Sequence, residues 1–392
     1  MRYYDNGRIF KRSTKTSNKR EATEFAKQFY EQIMRAKYTG VAPMQHSTAF
    51  DAIAQKMLDS MRTQLLRKEI TKATCDNARY RLQKHILPRL GNTNVNDITY
   101  SMLEQFTDEL TSKHSAKQLS PSTINAYLKL IKKVLNYAYK HRLLTQLPHF
   151  PAVKSQINAR GYFTGGEYRS MLARAKKLAG QTFYSVRKPT CPTQRYSPHQ
   201  NPSITVRAIH ITYELRELIG FMVNSYLRPT DIRNLKHKHV TEEKSTDEVY
   251  LRLNLPSAKK HTGDVITMPQ AAVVYKRLCG LHKQHNCIAS ADDYLFSPRL
   301  QNRTTALKRL QEQFDVLLWN LGYDFGPTGA KRTMYSLRHS AIVFRLTRGD
   351  SINSVTLARN ARTSVEMIDK FYASQLTSDQ NIQALHAVRK KK

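Results

Sequence analysis

Acidic side chains are scarce in this chain. Its 392 residues hold 64 lysines and arginines but only 30 aspartates and glutamates, which leaves a formal charge of +34. An excess of that size, spread over the whole length, is the electrostatic footprint of a polyanion partner, and nucleic acid is the common one. The few carboxylates form no cluster of the kind that holds two metal ions, so two-metal phosphoryl transfer is not expected. Cysteine is also sparse. Cys75, Cys191, Cys279 and Cys287 stand at no familiar disulfide spacing, which points to a reducing compartment. Cys279, His282, His285 and Cys287 are crowded into one short segment, unlike the separated pairs of a zinc ribbon, and read as a polar helix end and loop. No N-terminal apolar h-region is present and no apolar run is long enough to span a bilayer, so a soluble cytoplasmic protein without a membrane partner is expected. No metal or cofactor is implied.

Periodicity predicts a mainly α chain with a small antiparallel sheet. Asn6-Gly7, between Tyr3-Tyr4 and Ile9-Phe10, is a hairpin signal, and a helix with Ala22, Phe25, Ala26, Phe29, Tyr30 and Ile33 at helical spacing follows within residues 1–42. Residues 46–147 carry four helical patterns: one from Phe50 to Met61, one over 74–87 ended by Pro88, one over 101–110, and one opened by Ser120-Pro121-Ser122-Thr123 and running through Tyr139. Lys72, Arg79, Arg81, Lys129, Lys132 and Lys133 on these helices are candidate phosphate contacts, their weight coming from their number. Pro148 and Pro151 mark a linker over 148–160. Within 161–392, Thr164 and Glu167 cap a new helix. Residues 181–202 suit a surface loop, and a helix is expected over 208–224. Stretches 249–255 and 265–268 form a hairpin with Gly263-Asp264 in its turn. A short strand at 294–297 and a helix over 306–321, into which Trp319 packs, complete the scaffold. The tail offers Leu376, Ile382, Leu385 and Val388 as a short amphipathic helix before a basic end.

Two motifs carry the chemistry. Tyr226-Leu227-Arg228-Pro229-Thr230-Asp231 opens a helix with an arginine held ahead of Pro229 and an acid three residues on. A hundred-odd residues later comes Tyr335-Ser336-Leu337-Arg338-His339-Ser340, then Ala361-Arg362-Thr363-Ser364-Val365, then Tyr372 nine residues after Thr363. Arginines grip phosphate oxygens and a phenol can attack phosphorus. In order and spacing these motifs resemble the two catalytic boxes of the tyrosine recombinases, the phage-integrase family.

That resemblance covers almost all of residues 46–375 and implies a helical core DNA-binding domain at 46–147 and a catalytic domain with a C-terminal tail at 161–392. Residues 1–42 resemble a truncated arm-type DNA-binding domain; a helix packed onto its neighbour is the other reading. Arg228 and Arg338 correspond to the two catalytic arginines, Asp231 to the acidic support, and Tyr372 to the nucleophile. Tyr335 stands where His is usual, and Thr363 where His or Trp is usual, which leaves the proton acceptor open. The family's catalytic lysine lies on a hairpin such as 249–268. Strict spacing lands on His261, so both Lys259 and Lys260 stay candidates, with Lys260 preferred. The implied activity is site-specific DNA recombination through a 3′-phosphotyrosine intermediate, by a homotetramer on synapsed double-stranded DNA, with DNA-bending accessory proteins as further partners. The alternatives are a type IB topoisomerase-like enzyme and a catalytically inactive architectural protein.

Overall fold

The computed structural model describes residues 2–5, 8–11, 18–38, 48–111, 119–154, 161–186, 206–245, 248–255, 263–287, 290–327, 329–348 and 352–371. The chain divides into two compact units, Met1–Gln156 and Ile157–Lys392.

In the first unit, β1 (Arg2–Asp5) and β2 (Arg8–Lys11) pair antiparallel with Asp5 opposite Arg8, the register a two-residue turn imposes. Helix α1 (Lys19–Tyr38) follows. The bundle begins with α2 (Phe50–Leu66), whose buried Phe50, Ile53, Ala54, Met57, Leu58 and Met61 recur at three- and four-residue spacing and so line one face. Next come α3 (Lys72–Arg81), a π turn (Leu82–Ile86) and α4 (Leu87–Leu90). Pro88 was expected to end this helix, yet the helix runs on to Leu90. A proline inside a regular helix collides with the carbonyl four residues back. The wide π turn, with the Leu87 amide bonded to the Leu82 carbonyl, opens the ladder just ahead of the ring. Helices α5 (Tyr100–Thr111) and α6 (Pro121–Lys140) close the bundle. Buried Ile124, Tyr127, Ile131, Val134, Leu135 and Ala138 of α6 share one core with α2 and α3.

The second unit starts with α7 (Gly165–Leu178), whose reciprocal cap is formed as expected: Thr164 Oγ1 accepts the Glu167 amide and the Glu167 carboxylate accepts the Thr164 amide. Residues 181–202 were expected as loop and 208–224 as helix; instead β3 (Thr182–Val186) pairs antiparallel with β4 (Val206–His210), Phe183 opposite Ile209, while 187–202 lie outside the described residues. The apolar residues of β4 find a partner strand, so the helix begins only at α8 (Glu214–Ser225). Almost every side chain of α8 is buried, and α7, α10 and α12 pack around it. Then come α9 (Pro229–Asn234) and a sheet in the order β5 (Val240–Lys244), β6 (Val249–Leu253), β7 (Val265–Ile266), all antiparallel. The expected hairpin is β6–β7, with Leu253 opposite Val265; β5 was not foreseen.

Beyond it lie α10 (Gln270–Gln284), α11 (Arg303–Leu321), α12 (Tyr335–Arg348), α13 (Ser354–Asn360) and α14 (Val365–Phe371). Residues 294–297 are not a strand. Tyr294 makes one isolated bridge to Lys236, and Ser297 adopts a left-handed backbone. Two groups, buried Glu214 and half-buried Arg303, hold that loop. The Glu214 carboxylate accepts the Ser297 amide at 2.9 Å and contacts His282 Nε2 at 3.1 Å. Arg303 donates to the carbonyls of Phe296, Ser297 and Leu300 and to that of Arg233 in α9. The chain is thus mainly α with small antiparallel sheets. Among the described residues, no helix is long and apolar enough to cross a membrane.

Candidate active site

Helix α8 ends at Tyr226, which takes a left-handed conformation (φ 57°) and turns the chain sharply into the first motif. Such a turn costs a non-glycine residue about 1 kcal/mol. Arg228 then sits extended at the N-terminus of α9, ahead of Pro229, whose missing amide proton is no loss at the first helical position. Asp231 secures this arrangement: its carboxylate accepts the Arg228 amide at 2.9 Å and lies 4.0 Å from Nη1 of the same arginine.

The opposite wall is the end of α13. The Thr363 amide bonds back to the Ala358 carbonyl and the Arg362 amide to that of Arg359, with Arg362 left-handed at φ 53°. These are the bonds of a Schellman stop, which normally places glycine at the left-handed position. The last carbonyls of a helix lack intrahelical donors and carry the negative end of its dipole. Here two guanidiniums take them. Arg338, one turn into α12 and 2% exposed, donates from Nη1 to the Tyr226 carbonyl and from Nη2 to the Ala361 carbonyl at 2.6 Å. Arg228, whose side chain keeps 27% exposure, donates from Nη2 to the Arg362 carbonyl at 2.5 Å. The two arginines of the sequence motifs, 110 residues apart, therefore converge on adjacent peptide groups.

The other candidates are distributed as follows. Tyr335 is the first residue of α12, half-buried, with its ring 5.3 Å from that of the buried His339. Thr363 is half-buried beside Arg362. Lys259, Lys260, Tyr372 and the tail lie outside the described residues; α14, anchored by buried Ile368, leads directly into Tyr372. In the first unit, Lys129, Lys132 and Lys133 are exposed on one face of α6. Lys72 is exposed and Arg79 half-buried, two turns apart on one side of α3. Arg81 is turned away from these two, toward α6, where its charge counters the upward push that burial gives the Tyr127 phenol.

Of the cysteine and histidine segment, His282 is taken by Glu214, and the His285 ring stacks on Tyr213 at 4.0 Å. Among the described residues, no group of three His, Cys, Asp or Glu side chains is arranged to hold a metal ion.

Three structural residues escaped the sequence reading. Buried Arg332 makes a two-pronged pair with Glu167 (2.8 and 3.1 Å) and lies 4.8 Å from the Phe163 ring centroid, tying the entry to α12 to the start of α7. Burial pushes the Glu167 carboxyl up, but the Thr164 amide and the Arg332 guanidinium outweigh it and leave the pKa below the ordinary value. Arg303 holds α9 from behind, and Asn360 joins α13 to β7. Each has a partner 70 to 165 residues away, which no local pattern could have revealed.

Residues 48–155 match the family model of the phage integrase SAM-like domain. The chain as a whole has the tyrosine-recombinase fold. It is similar to the lambda integrase tetramer bound to a Holliday junction (TM-score 0.55, 13% identity, covering 93% of each chain). It is also similar to the Tn1549 transposon integrase in complex with transposon right end DNA (TM-score 0.55, 15% identity, covering 86% of this chain and 100% of that one). A third similar structure is the XerH site-specific recombinase bound to palindromic difH substrate (TM-score 0.51, 14% identity, covering 80% and 76%). At these identities the likeness is one of fold. No curated protein sequence matches this chain.

Proposed function

We propose that this protein is a site-specific DNA recombinase of the integrase type, which cleaves and rejoins DNA strands through a 3′-phosphotyrosine intermediate. The observation that carries this reading is the convergence of Arg228 and Arg338 on the Ala361-Arg362 segment, ten residues before Tyr372. A phosphodiester resists nucleophiles because its oxygens are already negative, and that charge grows in the transition state. Two guanidiniums at one point offset it. Backbone bonds pre-set the orientation of both, so little reorganisation is left for the moment of reaction.

In this reading Tyr372 attacks phosphorus and loses its proton as it does so, since an ordinary phenol with pKa near ~10 is protonated at neutral pH. The hydroxyls of Tyr335 and Thr363 occupy the positions where imidazole or indole groups usually contact the phosphate, and supply hydrogen bonds there. Lys260 protonates the departing 5′ oxygen, while Asp231 keeps Arg228 in place. The phosphotyrosine link conserves the energy of the broken bond, so rejoining needs neither ATP nor a metal. Lys72, Arg79, Arg81, Lys129, Lys132 and Lys133 contact phosphates of duplex DNA, and the working assembly is a homotetramer on synapsed DNA, bent by accessory proteins where its sites require it.

A suicide substrate nicked near the crossover tests the reading. The unaltered chain should become covalently attached to DNA, visible on a denaturing gel, while Tyr372→Phe should retain its gel shift and yield no covalent product. Undiminished covalent capture by Tyr372→Phe would remove the nucleophile assignment. Capture without exchange of DNA partners would favour a topoisomerase-like enzyme, and DNA binding without capture an architectural protein.

A further inference from the structure

Strand β4 has one edge paired and one edge open. The amide of Ile211, just past its end, donates to the Gln181 carbonyl on the β3 side at 2.9 Å. Backbone groups alternate in direction along an antiparallel strand, so those of Ala208 and His210 point the other way, as does the Thr212 amide. The Thr212 amide is bonded at 2.9 Å to the side-chain Oε1 of Gln313 in α11, which also accepts the Thr212 hydroxyl at 3.0 Å. The backbone groups of Ala208 and His210 have no partner among the described residues.

Facing that open edge, between β4, α11 and the 297–300 turn, is a cavity of about 360 Å³. Gln313 lines it and is only 4% exposed. Its Oε1 is committed to Thr212, which leaves the Nε2 donor for the cavity, and among the described residues that donor has no partner. Two arginines and one glutamate share the lining. Glu312 is bonded to Arg207 at 2.6 Å, whereas exposed Arg309 makes no ion pair among the described residues, so the cleft is left with a net positive charge. Leu300 supplies an apolar wall. A row of unpaired strand groups is a template for a further strand, and the groove beside it selects the side chains of that strand.

We propose that the open edge of β4 is a docking site for an extended acidic segment of a partner protein, which adds a third strand beside β3 and β4. The amides and carbonyls of the incoming segment pair with those of Ala208 and His210, Gln313 Nε2 donates to one of its oxygens, and one of its carboxylates pairs with Arg309. The tail of this chain, ending in Arg389-Lys390-Lys391-Lys392, carries the wrong charge for the cleft. The site lies within the second unit and does not depend on the recombinase reading.

The test uses the full chain and a fluorescent eight-residue peptide of alternating valine and glutamate, followed by anisotropy. This peptide should bind with a dissociation constant of about 100 µM or tighter. Its counterpart methylated on every peptide nitrogen has the same charge but no strand donors, and should bind at least about tenfold more weakly, as should a valine and lysine peptide. Ala208→Pro removes the outward amide while leaving the bonds to β3, as proline does on an edge strand, and should abolish binding without moving the urea midpoint reported by Trp319. Arg309→Glu should reverse the preference from the glutamate to the lysine peptide, and decides the matter if Ala208→Pro does not fold. Equal binding of the methylated peptide would show that the chain merely attracts negative charge, and would overturn the proposal. So would no binding of any peptide, or an unchanged preference in Arg309→Glu. A chain lacking residues 377–392 should bind the peptide no more tightly than the full chain; a gain of about tenfold would mean that the tail itself fills the groove, and would overturn the proposal as well.

Discussion

Replacing Arg338 with alanine should destabilise the second unit by about 4 kcal/mol, independently of any effect on catalysis. The side chain is almost fully enclosed, and its two terminal nitrogens are the donors to the Tyr226 and Ala361 carbonyls. Removing the guanidinium strands two buried acceptors at roughly 1–3 kcal/mol each, and the vacated volume adds to that. Arg338→Met, which retains most of the volume, isolates the hydrogen-bond part. Arg228→Ala loses one carbonyl bond and the 4.0 Å pairing with Asp231 at a site with 27% exposure and should cost only about 1 kcal/mol. The chain has one tryptophan, Trp319 in α11, so its fluorescence follows the second unit alone during a urea titration. With a urea slope of ~3 kcal/mol per molar, Arg338→Ala should move the midpoint down by ~1.3 M and Arg228→Ala by ~0.3 M. Both variants should lose strand cleavage by a factor of several hundred, equivalent to roughly 3–4 kcal/mol of transition-state stabilisation. A midpoint for Arg338→Ala within about 0.3 M of the unaltered chain, or an equal shift for Arg228→Ala, would refute the view that Arg338 sutures α8 to α13.

Binding to duplex DNA should weaken steeply with salt: neutralising eight to ten phosphates predicts a log-log slope of roughly −7 to −9, and a slope shallower than about −3 in a titrated gel shift would contradict it. The depressed pKa of Glu167 makes its pair with Arg332 a source of stability above the ordinary carboxyl value of 4.5, lost as pH falls through the lower folded value. Glu167→Gln should therefore lower the urea midpoint at pH 7 and converge on the unaltered chain in acid; a gap that persists well below pH ~4 would show that the pair does not set it. Deleting residues 377–392 should leave single-site DNA binding near normal and sharply reduce synapsis and recombination, if the tail docks on a neighbouring protomer. Full recombination by the truncated protein would refute that role.

Much of this protein is legible locally, because a helix or hairpin writes its period and its caps into adjacent residues. The β1–β2 hairpin, the buried stripe from Phe50 to Met61, the Thr164–Glu167 cap and the Arg228-Pro229-Asp231 helix start were all readable in this way, as was the ordering of the two arginine motifs. Local reading failed where a distant partner decided the outcome. Residues Val206–His210 look compatible with a helix until Thr182–Val186 supplies the pairing that makes them a strand. Pro88 looks like a terminator until a π turn relieves the clash. The site shows the same division. Sequence alone nominated side chains with the chemistry to handle a phosphodiester. Only the tertiary structure decided that Arg228 and Arg338 meet on the closing peptides of α13, that Arg332 and Arg303 fasten the flanking helices, and that an asparagine amide completes the edge of a sheet. Those contacts depend on groups tens to more than a hundred residues apart being brought within hydrogen-bond distance, and a chain records no such distance until its core has packed.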